Sequence, residues 1–293
     1  MKYIQLESPL SANALRLCFY YLQRVVTIRA LRAFAIALLR RCIGDQSRSD
    51  ASGLAASGSA LAALQVDGIA SLGQLLSTAQ CAEMLRFLAD KQVVYRDGIS
   101  FALDQRPPGV PFANHALHDL VRCPHILALA NCPAILDLAR HYLGCTPTVS
   151  GVSARWSFPT ESVTEVVQQF HRDSEDWQAF RILVYLTDVD DDAGPHVYVK
   201  RTHLDDRTMR LPVLEDAVVE ARFGDRLVRQ TGAQGFGFAV DTAGLHKGEM
   251  PKTRPRLLLS FQYSILPCFL YEYQPVALAE RSYDSYINRL IVK

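Results

Sequence analysis

Gly235-Phe236-Gly237-Phe238-Ala239-Val240, Asp241-Thr242-Ala243-Gly244, Leu245-His246-Lys247-Gly248 and, after a polar stretch, Arg254-Pro255-Arg256-Leu257-Leu258-Leu259-Ser260-Phe261-Gln262-Tyr263 decide the fold. The first run alternates with the two-residue period of a strand. Asp241 and Gly244 bracket a turn, because an Asp side chain hydrogen-bonds to nearby backbone and Gly tolerates turn geometries closed to other residues. The last run, rich in Leu and aromatic residues and preceded by a Pro, reads as a second strand. His246 then stands at the mouth of one strand and Arg256 at the base of the next.

Upstream lies a second polar constellation, Gln169-Phe170-His171-Arg172-Asp173, preceded by the strand-like Val166-Val167-Gln168. Alternate side chains of a strand share a face, so His171 and Asp173 would converge on one ion. The spacing is common by itself, and a second copy occurs at His203-Leu204-Asp205. Context separates them. The first is followed by the apolar run Phe180-Arg181-Ile182-Leu183-Val184-Tyr185-Leu186, whereas the second lies in a polar stretch, Lys200 to Arg207, that reads as a loop. Two imidazoles and one carboxylate on one face of a divalent metal leave three coordination positions open, the arrangement expected of a non-haem Fe(II) oxygenase. A guanidinium beside such a site can hold the remote carboxylate of a dicarboxylic cosubstrate with two parallel hydrogen bonds.

With these residues in order, the chain resembles the phytanoyl-CoA dioxygenase family of Fe(II)- and 2-oxoglutarate-dependent oxygenases. The resemblance rests on His171-Arg172-Asp173, on Tyr185-Leu186-Thr187-Asp188-Val189 leading to Gly194-Pro195-His196-Val197-Tyr198-Val199, on the loop His203, on His246 and on Pro255-Arg256. It runs from about residue 60 to 275 and is strongest from 165 to 265. The turn that family members write Pro-Gly-Ser-His reads Lys200-Arg201-Thr202-His203 here, a departure in a loop. The resemblance implies Fe(II) ligation by His171, Asp173 and His246, capture of 2-oxoglutarate by Arg256, and O2 as the oxidant. Arg254 is the rival of Arg256, which is preferred because the family's Arg commonly follows a Pro at the start of the strand. Gly248 stands where many members place a Ser that helps hold the cosubstrate; Thr187, Gln168 and Trp177 are the candidates to replace it. The implied reaction is hydroxylation of a C-H bond of a small or lipid-linked metabolite, with succinate and CO2 as coproducts. The residue at position 173 is a carboxylate, which disfavours a halogenase. The alternatives are a metal-free binding or scaffolding module on the same fold and a cupin-like enzyme that uses another metal without 2-oxoglutarate.

The 293 residues, 49% hydrophobic and 21% charged, suit one soluble catalytic domain. A net charge of +1 and the lack of an aromatic-studded basic stripe argue against nucleic acid as a partner. The seven Cys form no Cys-x-x-Cys pair, which favours free thiols in a reducing, cytoplasmic compartment. Oligomeric state is not legible.

Residues 1–45 form a basic amphipathic segment: Lys2, Arg16, Arg24, Arg29, Arg32, Arg40 and Arg41 against Glu7 and Asp45 give +5, leaving -4 for the remainder. Asn13 to Cys42 reads as helix, with Arg24, Arg29, Arg32 and Arg40 within half of a helical wheel. No uncharged apolar run approaches the roughly 18 to 20 residues of a membrane span. Three roles compete for residues 13–42: a helix packed on the barrel with its Arg face in water, an interfacial helix in peripheral contact with an anionic membrane, and a cleaved targeting segment. Residues 46–60, small and polar, read as a flexible linker, and 61–293 as the dioxygenase domain.

Within that domain, helices are expected at 77–91, capped by Ser77, at 119–130 and at 133–143. Strands follow at 148–158, 165–170, 181–187, 196–200, 227–230, 235–240 and 257–264. A mainly β chain with N-terminal helices suggests a helical layer against a sandwich or jelly roll. The resemblance names it as the double-stranded β-helix, a jelly-roll, cupin-like core.

Overall fold

A computed structural model describes residues 2–4, 11–44, 54–160, 168–205, 213–279 and 283–293. In chain order it contains β1 (Lys2–Tyr3), α1 (Ala12–Val25), α2 (Arg29–Ile43), α3 (Leu54–Asp67), β2 (Ile69–Gln74), α4 (Thr78–Ala89), β3 (Val93–Val94), β4 (Ser100–Phe101) and β5 (Phe112–His115). There follow α5 (Leu117–Leu120), α6 (Ile126–Ala130), α7 (Pro133–Leu143), β6 (Thr148–Ser157), β7 (Phe170–His171), β8 (Ala179–Tyr185), β9 (His196–Val199) and β10 (Val213–Leu214). The chain closes with α8 (Asp216–Phe223), β11 (Leu227–Gln230), β12 (Phe236–Val240), β13 (His246–Gly248), β14 (Arg256–Ser264) and β15 (Tyr271–Glu272).

Two antiparallel sheets form the jelly roll. The larger runs β2-β12-β8-β14-β6-β5-β3-β4 and the smaller β10-β7-β13-β9-β11. Strand β14 shows how the larger sheet divides its faces. Leu257, Leu259, Phe261 and Tyr263 join Phe180, Ile182 and Val184 of β8 in the core beneath the helices. Arg256, Ser260, Gln262 and Ser264, equally buried, take the alternate positions on the other face. The polar residues of a strand buried on both sides thus mark the inner face, where the site is built.

Local signals set the helical layer. Ser77 accepts from the Gln80 amide at the start of α4, and the Gln80 side chain accepts from the Ser77 amide, a complete capping box. Helix α7 opens with Pro133 at its first turn and closes on Gly144 in the left-handed conformation, φ 70°.

The amino-terminal segment departs from the sequence reading in three ways. First, 13–42 is two helices, not one. The break falls in Val25-Val26-Thr27-Ile28, four successive β-branched residues whose restricted side chains disfavour helix. Second, the arginines do not all face outward. Arg16 donates to the Tyr271 carbonyl at 2.6 Å, and Arg32 to those of Gln23, Asp176 and Trp177 at 2.8, 2.9 and 2.6 Å. Arg40 donates to Gln178 Oε1 at 2.8 Å and the Tyr142 carbonyl at 3.4 Å. These guanidiniums donate mainly to backbone carbonyls, and Arg40 also to a side-chain amide. Third, the stretch read as a linker over 46–60 is helical from Leu54 onward. Its small residues are compatible with helix, and Ala60 and Leu64 bury a face in the main core. The remainder of that stretch, 46–53, lies outside the described residues, as do positions 165–167 of the strand expected before Phe170.

Leu259 is fully buried in the core between the larger sheet and the helices. Leu259→Ala is expected to lower stability by about 2–5 kcal/mol, read from urea denaturation at constant m-value. A loss below about 1 kcal/mol would show that this layer is not close-packed.

Candidate metal centre

Strand pairing brings the first two imidazoles together. His246 of β13 lies directly opposite His171 of β7, and the ring centroids are 4.4 Å apart. Each ring is oriented by a backbone acceptor: His171 Nδ1 lies 2.9 Å from the Gln169 carbonyl and His246 Nδ1 2.9 Å from the Gly244 carbonyl. A carbonyl can only accept, so both Nδ1 atoms carry the proton and both Nε2 lone pairs are free. The two Nε2 atoms each stand 3.8 Å from an oxygen of Asp173. One ligand atom from each of the three residues lies within 4.8 Å of the others. That separation, too long for hydrogen bonds, suits three donors around one cation, and acceptors behind the histidines are the usual means of fixing metal-binding imidazoles.

The turn Asp241-Thr242-Ala243-Gly244 holds these parts in place. Thr242 accepts from the Asp173 amide through its carbonyl at 2.8 Å and hydrogen-bonds the Asp173 carboxylate through its side chain. Arg172 straps the same turn, donating to the Ala243 carbonyl and, at 2.8 Å, to that of Thr202. Asp241 is anchored in turn by the Tyr142 hydroxyl of α7, 2.5 Å from Oδ2, and by its own contact with the Ala243 amide at 2.9 Å.

Electrostatics favour ligation. Burial pushes the Asp173 carboxyl up, but Arg181 at 3.3 Å, the two histidines and Thr242 together more than reverse this, leaving it below the ordinary range. Burial, with His171 adding to it, holds His246 down to about 4, so its imidazole is neutral at physiological pH. Arg181 also binds Glu175 at 3.0 Å, which ties both carboxylates to one guanidinium.

Arg256 occupies the inner face of β14. It is buried, its Nη2 lies 3.3 Å from Ser157 Oγ, and its Nε and Nη1 have no partner among the described residues. A buried guanidinium with unmet donors is costly, and a carboxylate is the group that best satisfies its fork. The donor set and this guanidinium therefore fit a divalent metal and an anionic cosubstrate together. Its rival Arg254 is exposed and paired with Asp190 on the surface. His203 stands apart from the triad, with Nε2 3.2 Å from the Gln65 carbonyl.

The other sequence candidates are placed less centrally. The Thr187 hydroxyl accepts from the Leu257 amide at 3.2 Å, beside Arg256. Trp177 lies under the Arg32 guanidinium, 5.5 Å from its ring centroid, and lines a cavity of about 340 Å³ that reaches Asp173. Gln168 precedes β7 at the edge of a described segment.

Sequence reasoning missed His196. It is buried on β9, its ring centroid lies 5.5 Å from those of His246 and Phe238, and its Nε2 has no partner among the described residues. Burial, then the neighbouring His246 and Arg256, holds it neutral. Val197 and Val199 belong to one apolar cluster and Tyr198 to another, so β9 is buried on both faces and alternation alone does not single out His196.

The phytanoyl-CoA dioxygenase family pattern matches residues 64–234, more than half of the chain. The chain belongs to the phytanoyl-CoA dioxygenase family. The match takes in His171 and Asp173; His246, beyond it, is joined to them by the geometry above, and Arg256 also lies beyond it. No curated protein matches the chain.

Among solved structures, it resembles the non-haem α-ketoglutarate-dependent epimerase SnoN of nogalamycin biosynthesis, at 21% identity over 71% of this chain and 82% of that one, TM-score 0.53. It also resembles EctD from S. alaskensis with bound Fe, at 18% identity over 86% and 91%, TM-score 0.51. A third is EvdO2 from Micromonospora carbonacea var. aurantiaca complexed with 2-oxoglutarate, at 16% identity over 70% and 89%, TM-score 0.51. These likenesses establish the shared fold. This member of the dioxygenase family is thus an Fe(II)- and 2-oxoglutarate-dependent oxygenase-family enzyme, with O2 as the further substrate.

Arg256→Ala is expected to weaken 2-oxoglutarate binding about 10- to 100-fold in calorimetry under anaerobic conditions, the value of charge-assisted hydrogen bonds. Arg254→Ala should leave it unchanged. Equal effects of the two substitutions would remove Arg256 from the cosubstrate pocket.

Proposed function

We propose that this oxygenase is a hydroxylase that places one oxygen atom on a C-H bond of a small or lipid-linked metabolite. The observation that carries the reading is a pair of incomplete sites: three donors close enough to share one cation, and a buried guanidinium whose Nε and Nη1 have no acceptor among the described residues. Bound there, Fe(II) with 2-oxoglutarate and O2 supplies the oxidising power to break an unactivated C-H bond, 2-oxoglutarate leaving as succinate and CO2.

The residues of the chain do the positioning. His171, Asp173 and His246 would hold the metal, with cosubstrate and oxygen as its further ligands. Arg256 takes the remote carboxylate of the cosubstrate, with Thr187 and the neutral His196 as the nearby polar groups that fix its pose. Leu183, Tyr185, Phe238 and Val240 form an apolar wall that keeps water from the reacting centre. Arg181 holds Asp173 in its ligating charge state and fixes its orientation through a contact shared with Glu175. The cavity that reaches Asp173, with Trp177 and Gln178 on one side and α2 on the other, receives the substrate. At about 340 Å³ it takes a small metabolite or the head of a larger amphiphile.

Anaerobic addition of Fe(II) and 2-oxoglutarate should give a visible charge-transfer band that is lost in Asp173→Ala and retained in His203→Ala. A substrate screen read as succinate release should then yield a product carrying one oxygen atom from O2. No band under any condition would favour a metal-free binding module. An isomer of unchanged composition, the outcome of an epimerase such as SnoN, would overturn hydroxylation while leaving the cofactor assignment intact.

A further inference from the structure

A helix that packs on a globular domain ordinarily turns its apolar stripe inward and its charges to water. Helices α1 and α2 depart from this: α2 packs Ile36, Leu39 and Ile43 on the core, yet each helix also leaves an apolar stripe in water. Leu15, Phe19, Leu22 and Val25 of α1 are exposed, Leu15 at 61% and Val25 at 68%. Leu31, Phe34 and Leu38 of α2 are exposed too, Phe34 at 72%. At three- and four-residue spacing they form one largely exposed stripe on each helix, with Phe19 at its edge meeting the Phe269 ring at 6.1 Å. The inner side carries Arg16, Arg32 and Arg40, all donating to groups of the domain.

Charge identifies what covers this face. Residues 11–44 contain six Arg and no Asp or Glu. Three of the six, Arg24, Arg29 and Arg41, are exposed, and Arg41, seven residues after Phe34, lies in line with the α2 stripe. A second copy of the chain would bring two such acid-free, Arg-rich faces together, which costs like-charge repulsion. An anionic lipid surface offers the complementary charge and an apolar phase for the Leu and Phe side chains. No helix among the described residues is long and apolar enough to cross a membrane, so the contact is lateral.

We propose that α1 and α2 are a docking face for an anionic lipid surface. The other side of α2 contributes Arg32, Ile36 and Arg40 to the cavity that reaches Asp173. Docking therefore sets that cavity one helix thickness, about 10 Å, from the lipid. The lipid-linked substrate class proposed above would then be met at its source, a consequence that rests on the oxygenase reading; the docking itself does not.

Cosedimentation of the iron-free full chain with vesicles tests this directly. The protein is expected to pellet with vesicles of equal parts phosphatidylcholine and phosphatidylserine and to stay in solution with phosphatidylcholine alone. Arg24→Gln and Arg41→Gln should each weaken binding about fivefold, and added salt should weaken it further. Phe34→Asp with Leu38→Asp should abolish it, while the anaerobic iron and 2-oxoglutarate band, which uses neither residue, reports that the domain is still folded. Failure of the wild-type chain to bind anionic vesicles overturns the proposal, as does undiminished binding by the doubly substituted chain. So does a wild-type dimer in analytical ultracentrifugation that ignores vesicles and is dissolved by the same double substitution, which would make the face a homodimer interface. Since vesicle binding is measured without iron, its failure leaves the metal-centre reading standing.

Discussion

The centre depends on one backbone arrangement, the clasp between the 171–173 segment and the turn at 241–244. The register that sets His246 opposite His171 brings two ligands together, and the hydrogen bond from the Asp173 amide to the Thr242 carbonyl sets the third. Neither strand could do this alone, because β7 and β13 are two and three residues long and make few ladder bonds. Their geometry is borrowed from neighbours. Strand β13 is held on its other side by β9, and the turn is tied to the helical layer through Tyr142 and to β9 through the Tyr198 hydroxyl, which donates to the Asp241 carbonyl at 2.9 Å. Gly244 is required for that last contact, since a Cβ there would collide with the Tyr198 hydroxyl. The short strands that carry the chemistry are thus fixed by residues whose own role is packing, a division that lets the ligand positions stay open on one side.

How much of this the sequence discloses follows from the range of each interaction. The turn at 241–244, the strand entering it and the strand after Pro255 are local and were legible, as were the Ser77 cap and the Pro133 start of α7. The two-residue spacing of His171 and Asp173 was not distinctive, and β7 ends at His171; what made these residues readable was their context, the apolar run after Ala179 and the turn before His246. His196 was not legible, because β9 is buried on both faces and its polar residue cannot be told from a satisfied core histidine without knowing what lies across the sandwich. Arg181 hid in the same way inside the apolar run of β8, where only the opposite sheet reveals Asp173 and Glu175 as its partners. The orientation of α1 and α2 was the hardest. Periodicity shows which positions of a helix are basic and which apolar, but not which of them meet the domain. That is decided by the carbonyls of Tyr142, Asp176, Trp177 and Tyr271, which accept arginine donors from the helices.

The inner face of the larger sheet explains why metal and cosubstrate belong to one site. Arg155, Arg181 and Arg256 all project there, close enough that Arg155 is held down to about 10 by burial and then by the other two. Arg181 is answered by Asp173 and Glu175, and the Arg155 Nε donates to Asn114 at 3.0 Å, but Arg256 has no carboxylate within ion-pair distance among the described residues. A divalent cation added to this interior alone would deepen the excess of positive charge, and a dicarboxylate alone would approach the Asp173 carboxylate with no metal between them. Bound together, the two cancel, each relieving the cost of the other in a low-dielectric interior where uncompensated charge is expensive. Linkage then requires that each raise the affinity of the other by the same factor. The coupling resides in the buried charge pattern of β6, β8 and β14, so it should persist in any variant that keeps Arg256 and Asp173, whatever substrate the outer cavity accepts.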